Sequence, residues 1–164
     1  MSKHIVVING TGGSGKDTFV QYASKYAKVA NFSSIDKVKE IASYAGWEGA
    51  KEEKDRKFLS DLKDLLTNYN DLPYQTITAA IKDFENSDNE LMFIHIREPK
   101  EIQRVVDNFN AKSLLIKRLN YEIITSNSSD ANVENYDYDY IIENDTLEKL
   151  EKDAKDFVNN IKDE

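Results

Sequence analysis

The stretch His4-Ile-Val-Val-Ile-Asn-Gly-Thr-Gly-Gly-Ser-Gly-Lys-Asp-Thr18 decides the fold class of this chain of 164 residues. An apolar run from Ile5 to Ile8 is typical of a buried strand, and the residues after Gly15 have a helical pattern. Between them, Gly10 to Lys16 follow the spacing Gly-x-x-x-x-Gly-Lys, which indicates a phosphate-binding loop in its required strand-to-helix context. Four of the chain's six glycines fall in this loop, a concentration that a turn without a ligand does not need.

Each part of this loop suits phosphate. The glycines let successive backbone N–H groups turn toward phosphate oxygens. The helix that follows adds unpaired N–H groups and a partial positive charge. Lys16 brings a full charge that can reach the β- and γ-phosphates. The predicted nucleotide-binding residues are Gly10, Thr11, Gly12, Gly13, Ser14, Gly15, Lys16, Asp17, Thr18 and, beside the adenine, Asn144.

Asp17 departs from the usual pattern, because most phosphate loops have Ser or Thr directly after the lysine. Its carboxylate could bind Mg²⁺ directly or through water, which makes Asp17 the candidate metal ligand. A carboxylate there also repels bare phosphate, so nucleotide binding should depend on the metal. Alternatively, Asp17 is an acidic first-turn residue that complements the helix dipole. Both interpretations stay open.

Composition limits the classes of partner. Hydrophobic residues make up 40% and charged residues 32%, which indicates one globular domain. The net charge of −8 disfavours nucleic acid and anionic membranes. With no cysteine and two histidines, we expect neither disulfides nor a zinc site. No apolar run approaches the roughly 20 residues of a membrane span, and a cytoplasmic location is the default expectation.

Alternating strand and helix patterns predict a three-layer α/β fold, with a five-stranded parallel sheet and helices on both faces. With the phosphate loop after the first strand, this is the P-loop NTPase arrangement. In the long helix after residue 51, Phe58, Leu59, Leu62, Leu65 and Leu66 have core-facing spacing. The predicted strands are about 3–9, 29–32, 91–96, 112–116 and 138–142, and the predicted helices are about 15–28, 34–44, 51–68, 73–85, 99–108 and 146–161.

Two arginines follow predicted strands, at the sheet edge where parallel sheets bind ligands. These are Arg97 and Arg118. Because phosphoryl transfer spreads negative charge that arginine can neutralise, both are candidates for acceptor-phosphate and transition-state contacts. The alternative is that each is a solvated surface arginine. Arg104, in contrast, lies mid-helix between Glu101 and Asp107, which favours a surface ion pair.

Three further residues are candidates for the acceptor side. Asp36 and Lys39 follow the second predicted strand, although the same residues also fit an ordinary charged helix face. Arg56 lies early in the long helix and could swing over the site.

His95 ends the third predicted strand, where many phosphate-loop enzymes have an aspartate that holds the Mg²⁺ shell. A neutral imidazole cannot supply that charge, so Asp17 or Asp36 takes the acidic role, or phosphates and water hold the metal. A packed strand residue is the alternative for His95. Alternating Tyr and Asp from Tyr136 to Tyr140 suggest base stacking, but the pattern is more typical of a half-exposed strand start.

Three pieces of sequence together carry a family resemblance. These are the loop from Gly10 to Thr18, Arg97 within His-Ile-Arg-Glu-Pro-Lys-Glu-Ile, and Tyr138-Asp-Tyr-Ile-Ile-Glu-Asn144 before the last helix. The chain resembles the P-loop nucleoside monophosphate kinase-like superfamily over most of its length. It is most similar to the Gly-Lys-Asp-Thr branch, which includes phage-type deoxynucleoside monophosphate kinases and animal-type phosphomevalonate kinases.

This resemblance implies transfer of the γ-phosphate of ATP, with Mg²⁺, to a phosphate on a small acceptor. It implies that Lys16 binds the donor phosphates, that Arg97 binds the acceptor, and that Arg118 opens a short lid. These three are the predicted catalytic residues, and Asp36, Lys39, Arg56 and Arg97 are the predicted acceptor-binding residues. We expect one domain over residues 1–164, with a helical acceptor-side insert at about 35–86 and a lid-like loop at about 118–136.

The leading hypothesis is therefore a kinase for a small phosphorylated acceptor, foremost a nucleoside or deoxynucleoside monophosphate. The alternative of a phosphomevalonate-type kinase would use the same phosphotransfer chemistry but would need a different acceptor pocket. A nucleotide-binding module without transfer is the main alternative, and an ATPase ranks last because no clear acid holds the attacking water. The expected partners are ATP and the acceptor, with no nucleic acid and no membrane, and a homodimer is left open.

Overall fold

The sheet has five parallel strands in the order β2-β3-β1-β4-β5. A computed structural model describes residues 2–119 and 133–164, so most of the expected lid-like loop at 118–136 lies outside the described residues. The predicted parallel α/β sheet is confirmed. The strands are β1 His4–Asn9, β2 Val29–Ser33, β3 Leu91–His95, β4 Lys112–Arg118 and β5 Tyr140–Asn144.

β1 is the central strand, and its register brings the carboxyl ends of its neighbours level with the phosphate loop. Ile8 pairs with His95 of β3 and with Leu114 of β4. Val6, Val7 and Ile8 are completely buried. Consecutive buried residues are typical of a parallel strand that is covered on both faces, which explains the unbroken apolar run before the loop.

Six helices are described. They are α1 Lys16–Ala23, α2 Asp36–Tyr44, α3 Glu53–Asn70, α4 Leu72–Glu85, α5 Pro99–Phe109 and α6 Leu147–Lys162. The predicted first helix of about 15–28 is too long. Lys25 N–H donates to Tyr22 O at 3.1 Å, and Tyr26 N–H donates to Ala23 O at 3.0 Å. These tighter turns end α1 and lead the chain into β2.

The two faces of the sheet bury separate apolar cores. On one face, Phe19 of α1 and Phe157 of α6 pack around Phe93 of β3, with ring centroids 5.8–6.4 Å apart. On the other face, α4 and α5 cover the sheet through buried Ile77 and Ile102, among others. Aromatic rings at this spacing contribute to packing beyond the area that they bury.

The prediction that α3 faces a core is wrong. Among the described residues, α3 contributes no fully buried side chain. Phe58 is 37% exposed and Leu65 is 66% exposed. The helix makes its most extensive contacts with α2 and α4. The apolar residues of α3 do recur at helical spacing, but they pack against other helices. The helix therefore forms a wall beside the sheet.

A matched pair of substitutions tests this assignment. Phe93→Ala should reduce the free energy of unfolding by about 3–5 kcal/mol, because it opens a cavity in the main core. Phe58→Ala should cost less than about 1 kcal/mol, because the ring is partly in water already. Urea unfolding of both variants measures the difference, and equal losses would mean that α3 is a core helix.

Candidate functional site

Two glycines give the phosphate loop its shape. Gly13 has φ 78° and Gly15 has φ 102°. Both values lie in the left-handed region, where any residue with a side chain would be strained. A Cβ on Gly15 would lie 2.5 Å from Asn144 Nδ2, and a Cβ on Gly10 would lie 2.7 Å from Ile116 O. The loop is therefore packed tightly against the ends of β4 and β5, and it turns directly into α1.

Side chains from these two neighbouring strands hold the loop's own carbonyls. Asn144 Nδ2 donates to Ser14 O at 2.9 Å, and Arg118 Nη1 donates to Gly13 O at 3.1 Å. Both residues were predicted from sequence as ligand contacts. The structure places each of them as a support of the loop. The contact of Asn144 with the adenine and the contacts of Arg118 with the acceptor phosphate and the transition state stay predictions.

The loop fits a phosphate group by its shape. No described atom lies within 4 Å of a Cβ built on Gly12, so this part of the loop borders open space. Ser14 is 1% exposed, and its Oγ has no hydrogen-bond partner among the described atoms. An unpaired buried hydroxyl is costly, and a phosphate oxygen is a suitable partner.

A cleft of about 1210 Å³ opens from Gly12, Gly13 and Lys16 toward α3 and α5. It gathers six of the charged residues that the sequence singled out, from four different parts of the chain. They are Lys16, Asp17, Asp36, Lys39, Arg56 and Arg97. Arg118 does not line this cleft; it borders a smaller cavity of about 40 Å³ together with Thr11.

The cleft is positively charged although the chain carries a net charge of −8. Seven Lys or Arg residues line it, against five Asp or Glu residues. Local positive potential at the mouth of a cleft attracts anions whatever the sign of the whole molecule. The cationic residues are Lys16, Lys39, Lys51, Arg56, Lys63, Arg97 and Lys100.

Some of these cations are fixed by neighbours in the wall of the cleft. Lys63 Nζ lies 3.0 Å from Glu101 Oε2, with side chains 17% and 32% exposed. Arg56 Nε donates to Lys51 O at 3.1 Å. The Lys63–Glu101 pair joins α3 to the first turn of α5, so the wall and the sheet edge are held together across the cleft.

Arg104 forms an ion pair, as predicted, but with a different partner. Its Nη1 lies 2.8 Å from Asp71 Oδ2, and its guanidinium stacks 3.5 Å from the centre of the Tyr74 ring. Of the two expected partners, Glu101 pairs with Lys63, and Asp107 accepts a hydrogen bond from Gln103 Nε2. Packing of α5 beside the start of α4 decides this, and sequence spacing within one helix cannot show it.

His95 is a neutral group in the cleft at physiological pH. Burial, together with the nearby Lys16 charge, lowers the pKa of His95 to about 4, although Asp17 and Asp36 oppose this. His95 Nε2 lies 2.7 Å from Asn31 Oδ1. The imidazole is therefore uncharged, and it supplies no carboxylate that could bind a metal ion.

The donor set fits a magnesium ion held chiefly by nucleotide phosphates. Among the described residues, no group of three or more His, Cys, Asp or Glu side chains could hold a metal by itself. Asp17 and Asp36 both line the cleft near the phosphate loop. Magnesium commonly keeps several waters and takes one or two carboxylates plus substrate phosphates, so this sparse set is sufficient.

Sequence reasoning missed Asn9 and misplaced Tyr138. Asn9 is completely buried, and Tyr138 is only 8% exposed. The predicted strand start at 138 is wrong, because β5 begins at Tyr140, and within the stretch from Tyr136 to Tyr140 the Tyr138 side chain is buried. Burial raises the pKa of Tyr138 to about 12, which keeps its hydroxyl protonated. Asn9 is the one polar residue at the end of an otherwise apolar strand, and this feature of the sequence could have marked it as a candidate.

No family model matches this sequence, and a search of curated proteins finds no match. Solved structures do match its fold. Shikimate kinase from Aquifex aeolicus is 9% identical with a TM-score of 0.57, and covers 96% of this chain and 98% of its own. A sugar kinase from Janibacter is 13% identical with a TM-score of 0.53, covering 96% and 95%. The chain has a P-loop kinase-like fold.

Among the described residues, no helix is both long and apolar enough to cross a membrane.

Two glycines of the loop offer a matched test of its geometry. Gly15→Ala should cost about 1–3 kcal/mol of unfolding free energy, since it strains the backbone and presses on Asn144. Gly12→Ala should change it by less than about 0.5 kcal/mol, because its φ is not left-handed and its surroundings are open. Chemical denaturation measures both, and equal effects would contradict the packed turn.

The low pKa of His95 predicts a loss of stability in acid. As the pH falls from 6.5 to 4, the unfolded chain binds a proton that the folded state does not. The free energy of unfolding should fall by roughly 3 kcal/mol over this range from His95 alone. His95→Gln should remove that part of the pH dependence, and His4→Gln should retain it. Urea titrations at several pH values give the measurement; parallel curves for the wild type and His95→Gln would refute the assignment.

Proposed function

We propose that this protein is a Mg²⁺-dependent phosphotransferase that passes the γ-phosphate of ATP to a phosphate on a small acceptor. The foremost acceptor class is a nucleoside or deoxynucleoside monophosphate. One observation carries this proposal: the phosphate loop and the cationic residues Lys39, Arg56 and Arg97 border a single cleft. Two anionic ligands brought to one positive cleft are what phosphoryl transfer between them requires.

At the donor end, Lys16 is the first residue of α1 and lines the cleft. Its ammonium and the N–H groups at the start of α1 neutralise the donor phosphates. Asp17 and Asp36 are the carboxylates available to a phosphate-bound Mg²⁺, which supplies further neutralisation of the charge that develops during transfer.

At the acceptor end, Arg97 follows β3 and Arg56 reaches the cleft from α3. Their guanidinium groups can hold an acceptor phosphate with fixed geometry. A pocket for one small ligand is typically about 300–1,000 Å³, so the cleft of about 1210 Å³ has room for a donor and an acceptor.

The acceptor wall that we propose is smaller than the predicted helical insert of about 35–86, which stays a prediction. Residues of α2 and α3 line the cleft, including Lys39 and Arg56. α4 lies in the same stretch of sequence, but Ile77, Ile81 and Phe84 pack it into the core. We propose α2 and α3 as the elements that select the acceptor.

A nucleotide-binding module without transfer is the second candidate. It is favoured by neutral His95, since a carboxylate at that place would help to hold the metal. A phosphomevalonate-type acceptor is the alternative within the kinase proposal. Its phosphate would use the same cations.

Three substitutions test the kinase proposal through ADP formation from ATP, Mg²⁺ and a panel of nucleoside monophosphates plus phosphomevalonate. Lys16→Ala should lower kcat at least about 100-fold, because it removes a charge that stabilises the transition state. Arg97→Ala should lower kcat/KM for the acceptor by about 10- to 100-fold with a smaller effect on the KM for ATP. Lys57→Ala should be neutral, because Lys57 pairs with Asp61 at 2.7 Å on an exposed part of α3.

Normal turnover by Lys16→Ala would refute the proposal. Tight ATP binding by the wild type with no product from any acceptor would support the binding module instead.

A further inference from the structure

Asn9 joins the phosphate loop to the segment that carries Arg97. Its side chain lies completely buried at the end of β1. Asn9 Oδ1 accepts from Gly10 N–H at 2.8 Å, and Asn9 Nδ2 donates to Arg97 O at 3.2 Å. One amide group therefore contacts the first residue of the loop and the backbone of the predicted acceptor-side arginine.

This amide continues the sheet where backbone pairing ends. The last pairing of β1 with β3 joins Ile8 to His95, and Ile96 N–H donates weakly to Ile8 O at 3.4 Å. The next link across the two strands is the Asn9 side chain on Arg97 O. It fixes the backbone from which the Arg97 side chain enters the cleft.

Tyr138 holds this amide in place. Asn9 Nδ2 also donates to Tyr138 Oη at 2.9 Å, and the Tyr138 hydroxyl donates to Val133 O. Tyr138 and Val133 are both buried in the core under α4 and α5. Because the hydroxyl accepts from Asn9 and donates to Val133, it holds the amide orientation that lets Nδ2 reach Arg97 O.

We propose that Asn9 and Tyr138 are positioning residues that hold Arg97 in register with the phosphate loop. They set the distance between the acceptor-side guanidinium and the donor phosphates. The kinetic part of this inference rests on the proposed phosphotransfer, whereas the mechanical coupling of the two segments does not.

The chain offers a matched control two residues away. Tyr136 packs against Tyr138 with ring centroids 5.1 Å apart, and its hydroxyl donates to Gln103 Oε1 at 2.9 Å on the surface of α5. Tyr136→Phe and Tyr138→Phe each remove one hydroxyl without creating a large cavity. Only Tyr138→Phe breaks the connection to Asn9.

Kinetics test the role in transfer, with the acceptor from the panel that gives the highest turnover. Tyr138→Phe should lower kcat/KM for that acceptor about tenfold, as expected for one lost buried hydrogen bond, with the KM for ATP nearly unchanged. Tyr136→Phe should match the wild type. In an Arg97→Ala background, Tyr138→Phe should have almost no further effect, since it acts through Arg97. An unchanged kcat/KM, or full additivity with Arg97→Ala, would overturn the proposal.

Amide hydrogen exchange tests the coupling without any acceptor. Tyr138→Phe should speed exchange at Gly10 and at residues 96–98, while Tyr136→Phe leaves these amides unchanged. Equal exchange in the two variants would overturn the positioning proposal. Faster exchange in Tyr138→Phe together with a wild type that transfers nothing would support the coupling and refute the proposed function.

Discussion

The turn from β1 into α1 is the constraint on which the rest of the site depends. At Gly15 the backbone adopts φ 102°, and the amide of Asn144 lies where a Cβ would be, so a side chain there would be strained. This turn aims the start of α1 at the cleft and makes Lys16 its first residue. The supports from Asn144 and Arg118 come from β4 and β5, so the loop's shape is a product of the whole sheet edge.

The cleft differs from the molecule as a whole in the sign of its charge. A chain with a net charge of −8 concentrates more cations than anions along one opening. Interspersed carboxylates such as Asp17, Asp36 and Glu101 reduce the repulsion between the cations, and Asp17 and Asp36 are the two that we propose for a phosphate-bound metal. The excess of cations in the cleft favours small anions there.

The sequence predicted the elements whose signals are local. Glycine spacing located the loop, and the apolar run of β1 placed it after a buried strand. Features that depend on neighbours in three dimensions could not be predicted. The apolar spacing of α3 suggested a core-facing helix, but α3 has no fully buried side chain among the described residues. Arg104 pairs with Asp71, which lies outside its own helix. Asn9 was missed because its partners Arg97 and Tyr138 are 88 and 129 positions away along the chain.

Thermal unfolding with ligands tests the central claim most directly, because a ligand that binds only the folded state raises the melting temperature by mass action. We would measure melting with ATP alone, with ATP and Mg²⁺, and with each candidate acceptor added to ATP and Mg²⁺. The account predicts a rise with ATP that is larger with Mg²⁺, and a further rise with one phosphorylated acceptor. No rise with ATP and Mg²⁺ at millimolar concentration would contradict the assignment of the phosphate loop and, with it, the function proposed for the cleft.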